Sequence, residues 1–168
     1  VLRALVRGSA ERLGPVTAGW DGGASLPGWQ LRVLDGNHLP ASEKRLAPLR
    51  GHRGAALPGH TLVVYDPDCG LVTDILPCED AHQSERAAVA DLLDSARPGQ
   101  LWIADRQFCT RTVLLGWQAA QAGFLVREHG RHPQLAAEGP WRACGRSETG
   151  AVREQRIELA GASEPWRR

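Results

Sequence analysis

Apolar residues fall along this chain in short runs separated by Gly, Pro and charged residues, and the spacing within the runs alternates between helical and strand-like. Leu2, Leu5, Val6 and Leu13 recur at near-helical intervals, which predicts the end of a helix over Val1 to Leu13. Gly14 to Gly28 is rich in Gly and reads as a linker. A strand is expected from Trp29 to the dipeptide Asp35-Gly36. Asn37 to Gly59 then reads as a long basic connection. Two more strands, His60 to Tyr65 and Gly70 to Leu76, flank the turn residues Asp66-Pro67-Asp68-Cys69-Gly70, a hairpin signature. Ser84 suits the N-cap of a helix through Leu92 and Leu93, stopped by Pro98-Gly99. The apolar run Leu101-Trp102-Ile103-Ala104 closes on Asp105. Thr110 then caps a helix through Val113, Leu114, Trp117 and Ala120, which Gly123 ends, and Phe124 to Val126 makes a fifth strand. Beyond His129 the pattern weakens, recovering over Val152 to Leu159 as one alternating, exposed antiparallel strand.

Three strands, then helix, strand, helix, strand, predict an α/β fold: a mixed sheet with flanking helices. The ribonuclease-H-like fold has this order. Its first and fourth strands here both end on an aspartate, Asp35 and Asp105. A carboxylate closing a buried apolar strand is costly without a partner. Two of them on neighbouring strands bring together the oxygen ligands that Mg²⁺ requires.

Composition changes this picture little. The chain has 168 residues, enough for one domain with a core, and a net charge of +1. No bulk basic field therefore points to nucleic acid. Lys44 is the only lysine among 20 basic residues, the rest being arginine. Arginine suits bidentate phosphate contact, and a GC-rich genome gives the same bias. The 4 cysteines show no C-x-x-C pair, so neither a disulfide framework nor a zinc site is signalled, and reduced cytosolic thiols are the expectation. No apolar stretch is long enough to span a membrane. The chain begins at Val1, contains no Met and stops at Arg168, and so reads as a piece of a longer open reading frame.

Val33-Leu34-Asp35-Gly36-Asn37-His38-Leu39 and Ile103-Ala104-Asp105-Arg106-Gln107-Phe108-Cys109-Thr110 together resemble DDE transposases of bacterial insertion sequences, of the insertion-sequence-four type. Phe124-Leu125-Val126-Arg127 resembles the strand and arginine that follow the second acid in that family. The resemblance covers Trp29 to His129, with a weaker continuation to Leu159. It implies a preceding helix and linker over 1–28, a partial ribonuclease-H-like catalytic core over 29–130, and over 131–168 the start of a β-rich insertion in which the chain stops. It implies an enzyme that nicks transposon-end DNA and joins the 3′ end to target DNA, with Asp35 and Asp105 as catalytic ligands of Mg²⁺ or Mn²⁺. DNA contact is expected from Arg45, Arg50, Arg53, Arg106 and Arg127. The partners implied are transposon-end and target DNA and a second copy of the protein in the synaptic complex, with no membrane. The setting implied is the bacterial cytoplasm, at the nucleoid. The family's third ligand, a glutamate in a Tyr-x-x-Arg-x-x-x-Glu motif, does not occur in this sequence. The missing helix should leave one sheet face exposed as an apolar patch.

Plainer readings exist for each residue. Asp35 could cap a turn with Gly36, and Asp105 could cap or pair locally with Arg106. Asp66 and Asp68 suit a hairpin tip, and Glu79 and Asp80 suit a helix start. Cys78 with His82, and His129 with His132, lack two further ligands at zinc spacing. Trp141 and Trp166 suit packing or, less well, base stacking. Two rival functions follow: a nuclease of the same fold using Glu128 or Glu158 as third acid, and an inactive transposase remnant with residual DNA binding.

Overall fold

The computed structural model describes residues 1–18, 20, 23–38, 60–78 and 89–167. Its elements are α1 (Leu2–Thr17), β1 (Gln30–His38), β2 (His60–Asp66), β3 (Leu71–Cys78), α2 (Ala90–Leu93), β4 (Gln100–Ala104), a 3-10 turn (Arg106–Phe108), α3 (Arg111–Ala119) and β5 (Gly123–Val126). Five short strands follow: β6 (Ala136–Ala137), β7 (Arg142–Ser147), β8 (Gly150–Glu154), β9 (Arg156–Glu158) and β10 (Trp166–Arg167). Among the described residues no helix is long and apolar enough to cross a membrane.

β1 to β5 form one mixed sheet in the order β3-β2-β1-β4-β5. β1 pairs antiparallel with β2, and β2 with β3, around the turn over residues 67–70. Asp66 builds that turn by accepting the Asp68 and Cys69 N–H groups at 3.0 and 3.1 Å. β4 lies parallel to both β1 and β5. The register pairs Arg32 with Trp102 and Trp102 with Phe124, and likewise Leu34 with Ala104 and Ala104 with Val126. These rows face the core, since alternate strand residues share a face. Leu34, Leu62, Val64 and Trp102 are buried there against Val89, Leu92, Val113, Leu114 and Trp117 of the α2 and α3 segments. Trp102 stacks on Trp117 with ring centroids 5.7 Å apart, and Trp117 on Phe124 at 6.0 Å. Thr110 caps α3 as expected, accepting the Val113 N–H.

The opposite face carries Val33, Val63, Tyr65, Leu101, Ile103 and Leu125. Tyr65 is exposed and so is Leu125, the latter at 62%. Val33, Val63, Leu101 and Ile103 are only partly buried. An apolar, half-exposed face is unusual for parallel strands, whose two faces are ordinarily covered.

Several expectations are corrected. The helix at the chain start does not give way to a linker at Gly14 but runs to Thr17 through Pro15. Pro15 lies in the last turn, where its missing N–H forfeits a single bond, and the buried Thr17 hydroxyl donates back to the Leu13 carbonyl at 3.3 Å. Its apolar positions also do not point inward. Leu5 is 66% exposed, whereas Arg3 and Arg7 turn toward the sheet and meet the buried Asp74 of β3. Gly123 does not end the second helix. Gln121 takes the left-handed conformation after Ala120, at φ 55°, and Gly123 opens β5. A Cβ on Gly123 would lie 2.8 Å from the Trp29 ring, which explains glycine there. The stretch Val152 to Leu159 is not one strand. It breaks at Gln155, whose buried side chain donates to the Gly139 carbonyl at 2.7 Å, so that β8 pairs with β7 and β9 joins a separate sheet, β10-β9-β6. The helix expected from Ser84 falls partly outside the described residues, which exclude 79–88; the described helix there is α2, Ala90–Leu93.

Candidate active site

β1 and β4 converge on the two aspartates through their register. Leu34 sits beside Ala104 as the last registered pair of the parallel ladder, so the next residues, Asp35 inside β1 and Asp105 just past the end of β4, stand at the same height. Neighbouring strands are about 4.8 Å apart. Both side chains are exposed, on the face opposite Leu34 and Ala104. β5 extends the row. Ala104 pairs with Val126, which places Arg127, also exposed, one step on beside Asp105. Asp35, Asp105 and Arg127 thus stand in sequence across three adjacent strands at the level where β4 and β5 end and β1 runs on, the carboxyl edge at which ligands gather in open α/β sheets.

Local structure fixes each carboxylate. β1 does not stop at Asp35-Gly36 as expected; it continues to His38 and stays paired to β2, Asp35 lying opposite Val63. The turn reading of Asp-Gly is therefore excluded. One Asp35 oxygen accepts its neighbour Gly36's N–H at 2.8 Å. Asp105 is the cap of the 3-10 turn and accepts the Gln107 N–H at 2.6 Å. The turn is anchored from below by Phe108, which is 1% exposed, and by the buried Cys109. Burial raises the Cys109 thiol above its ordinary range, which makes it inert packing rather than a nucleophile.

Neither aspartate enters an ion pair among the described residues. Of the two plainer readings of Asp105, the cap is made and the pairing with Arg106, which is exposed, is not. Two exposed carboxylates, each bound through one oxygen to a backbone N–H, form a donor set of the hard-oxygen type that Mg²⁺ and Mn²⁺ prefer. Among the described residues no three His, Cys, Asp or Glu side chains come together as a metal-binding group. Neither Glu128, after Arg127, nor Glu158, on β9, completes the pair as a third ligand.

Arg45, Arg50 and Arg53 lie outside the described residues, as do Glu79, Asp80 and His82. Asp66 is a turn former as expected, and it also pairs with Arg32 at 2.6 Å. Asp68 accepts the Ser25 N–H at 2.8 Å, and hydrogen bonding from the Ser25 side chain, then from that N–H, holds its carboxyl below the ordinary range. Trp166 packs edge-on against Phe124 at 5.0 Å, which leaves it a core role. A cavity of about 540 Å³ opens at the far end of the sheet, under α1, between Arg7, Arg32, Asp66, Asp74, Gln100 and Trp102. Its Arg7 and Arg32 are already paired with Asp74 and Asp66. It does not reach the aspartate row.

Sequence reading missed the β7–β8 ribbon. Ser147-Glu148-Thr149-Gly150 between two short runs was the available hairpin signal, with Gly150 at φ 138° closing the turn. Compared with known proteins, the chain matches no protein-family model and no curated relative, so the functional reading stands on this geometry.

Proposed function

We propose that this chain carries part of the catalytic core of a DNA strand-transfer enzyme of the DDE transposase type. The observation that carries the reading is the row Asp35–Asp105 on the adjacent parallel strands β1 and β4, at the level where β4 ends, in a sheet ordered β3-β2-β1-β4-β5. That order, with the first three strands antiparallel and the next two parallel, supports the ribonuclease-H-like assignment. Asp35 and Asp105 would hold the divalent cation. When bound, such ions activate the attacking oxygen and stabilise the leaving one in phosphoryl transfer. The cap on Asp105 and the ladder around Asp35 orient both carboxylates before any substrate arrives. Arg127, next in the row, supplies positive charge to a phosphodiester lying across the strand ends, and Arg106 flanks it. The substrates are transposon-end and target DNA, met as a homodimer at the bacterial nucleoid.

A second reading, a remnant that binds DNA without cutting it, is favoured by one observation: the described residues offer no third carboxylate. A single experiment separates the two. Fe²⁺ with ascorbate and peroxide cuts polypeptide beside a bound cation. Backbone cleavage near residues 35 and 105, competed by Mg²⁺ and lost in both Asp35→Asn and Asp105→Asn, is expected. Cleavage elsewhere, or cleavage unchanged in the variants, removes the metal site and leaves the remnant reading.

A further inference from the structure

The β7–β8 ribbon stands clear of both sheets, with every residue of β7 exposed. Two-stranded ribbons are marginal on their own, so what braces this one matters. Directly paired residues of an antiparallel ladder share a face. One face carries Arg142 opposite Glu154, with Arg167 of β10 reaching the same carboxylate at 2.9 Å. That three-residue network ties the ribbon base to the rest of the molecule. The other face pairs Ala143 with Arg153 and Ala151 with Arg146. Both arginines are exposed, and neither forms an ion pair among the described residues. Charge is thus divided by face: two arginines share one carboxylate where the ribbon is anchored, and on the other face the arginines have no carboxylate partner among the described residues.

We propose that this outer face binds the sugar-phosphate backbone of duplex DNA through Arg146 and Arg153. Arg146 lies across from Ala151, two residues along β8 from Arg153. This offsets the two backbone positions by about 7 Å along the ribbon and about 4.8 Å across it. Their partners across the ladder are the small Ala143 and Ala151, so neither arginine faces a bulky cross-strand neighbour. The planar fork of arginine matches phosphate oxygens in bidentate fashion, and a two-stranded ribbon fits the major groove of B-DNA. Glu148, at the turn, repels phosphate and confines contact to the face rather than the tip. The contacts go to backbone, so they position the duplex and carry no sequence preference. The inference takes DNA as partner from the proposed function but uses none of the aspartate row.

Fluorescence anisotropy with a labelled mixed-sequence duplex, across a salt series, tests it. Each phosphate contact adds about 0.9 to the magnitude of the slope of log affinity against log salt. The double variant Arg146→Ala/Arg153→Ala should therefore flatten the slope by about 1.8, and Arg146→Lys/Arg153→Lys should keep it. Unchanged far-UV circular dichroism in these surface variants certifies the fold. The metal site is read by the Fe²⁺ cleavage pattern and the ribbon by this slope, so failure of the one and failure of the other read out separately. An unchanged slope in the double alanine variant overturns the proposal. So does a flattening seen with a single-stranded oligonucleotide but not with the duplex.

Discussion

Two sets of strand carboxylates differ in one respect, their arginines. Asp74 and Asp66 sit on the helix-covered side of the sheet and are buried. Asp74 receives a two-pronged bond from Arg3, Nε to Oδ1 at 2.9 Å and Nη2 to Oδ2 at 3.0 Å, and a third from Arg7 at 2.7 Å. Asp66 receives Arg32 and two backbone N–H groups. Asp35 and Asp105 sit on the other side, exposed and without an arginine partner among the described residues. Equal residue types on one sheet thus do opposite work. Where burial removes water, a carboxylate holds the fold only if cations replace it. Where water stays, an unpaired carboxylate keeps its charge available to a ligand.

Replacing each aspartate in turn should grade this difference, and the largest loss should come from Asp74. Asp74→Ala should cost about 3 kcal/mol in urea unfolding, the low end for breaking a buried ion pair, because Arg3 and Arg7 retain some access to water. Acid should reproduce part of that loss in the parent chain. Burial alone would raise the Asp74 carboxyl, but the bonds and charges of Arg3 and Arg7 outweigh it and hold the group below its ordinary value of 3.8. A lowered folded value means the contribution is complete above 3.8 and is lost as pH falls below it. The stability difference between parent and Asp74→Asn should accordingly shrink as the pH is taken below that value. A constant difference down the acid limb would deny Asp74 this role.

Asp66→Ala comes next, at about 2 kcal/mol, since it removes the Arg32 pair together with both turn bonds. Thermal melts read this directly. Asp105→Ala should cost about 1 kcal/mol, the usual worth of a helix-cap carboxylate, and Asp105→Asn only a few tenths, because the amide oxygen can still accept the Gln107 N–H. Asp35→Asn should leave stability within about 0.5 kcal/mol, as an exposed substitution away from any network does. Calorimetric titration with Mn²⁺ should run in the reverse order, with affinity lost in Asp35→Asn and Asp105→Asn and kept in any folded Asp74 variant. A destabilised Asp35→Asn, or Mn²⁺ affinity indifferent to both, would erase the contrast.

How far the sequence carried depends on whether local pattern and tertiary contact agreed. The five main strands, their turn at Asp66 and the Thr110 cap were legible because short apolar runs and turn residues report local geometry. The aspartate row was legible for the same reason, as two apolar strands closing on one residue type. Arg127 joined that row only through its register with Asp105. The inward face of α1 was not legible. Leu2, Leu5 and Leu13 gave the helical period, but the packed side is set by Asp74, far along the chain, whose charge draws in Arg3 and Arg7.

By itself, then, the sequence determined the five main strands and the Thr110-capped helix, and that an apolar run in each of β1 and β4 leads into an aspartate. Those properties depend on residues within a few positions of one another. The tertiary structure decided that Val152 to Leu159 divides at Gln155, that Gly123 must leave room for Trp29, and which face of α1 meets the sheet. It also decided which of the strand aspartates found arginines. Each of these depends on contacts between residues distant in sequence, formed only when the sheet assembles and excludes water on one side, and no local period encodes them.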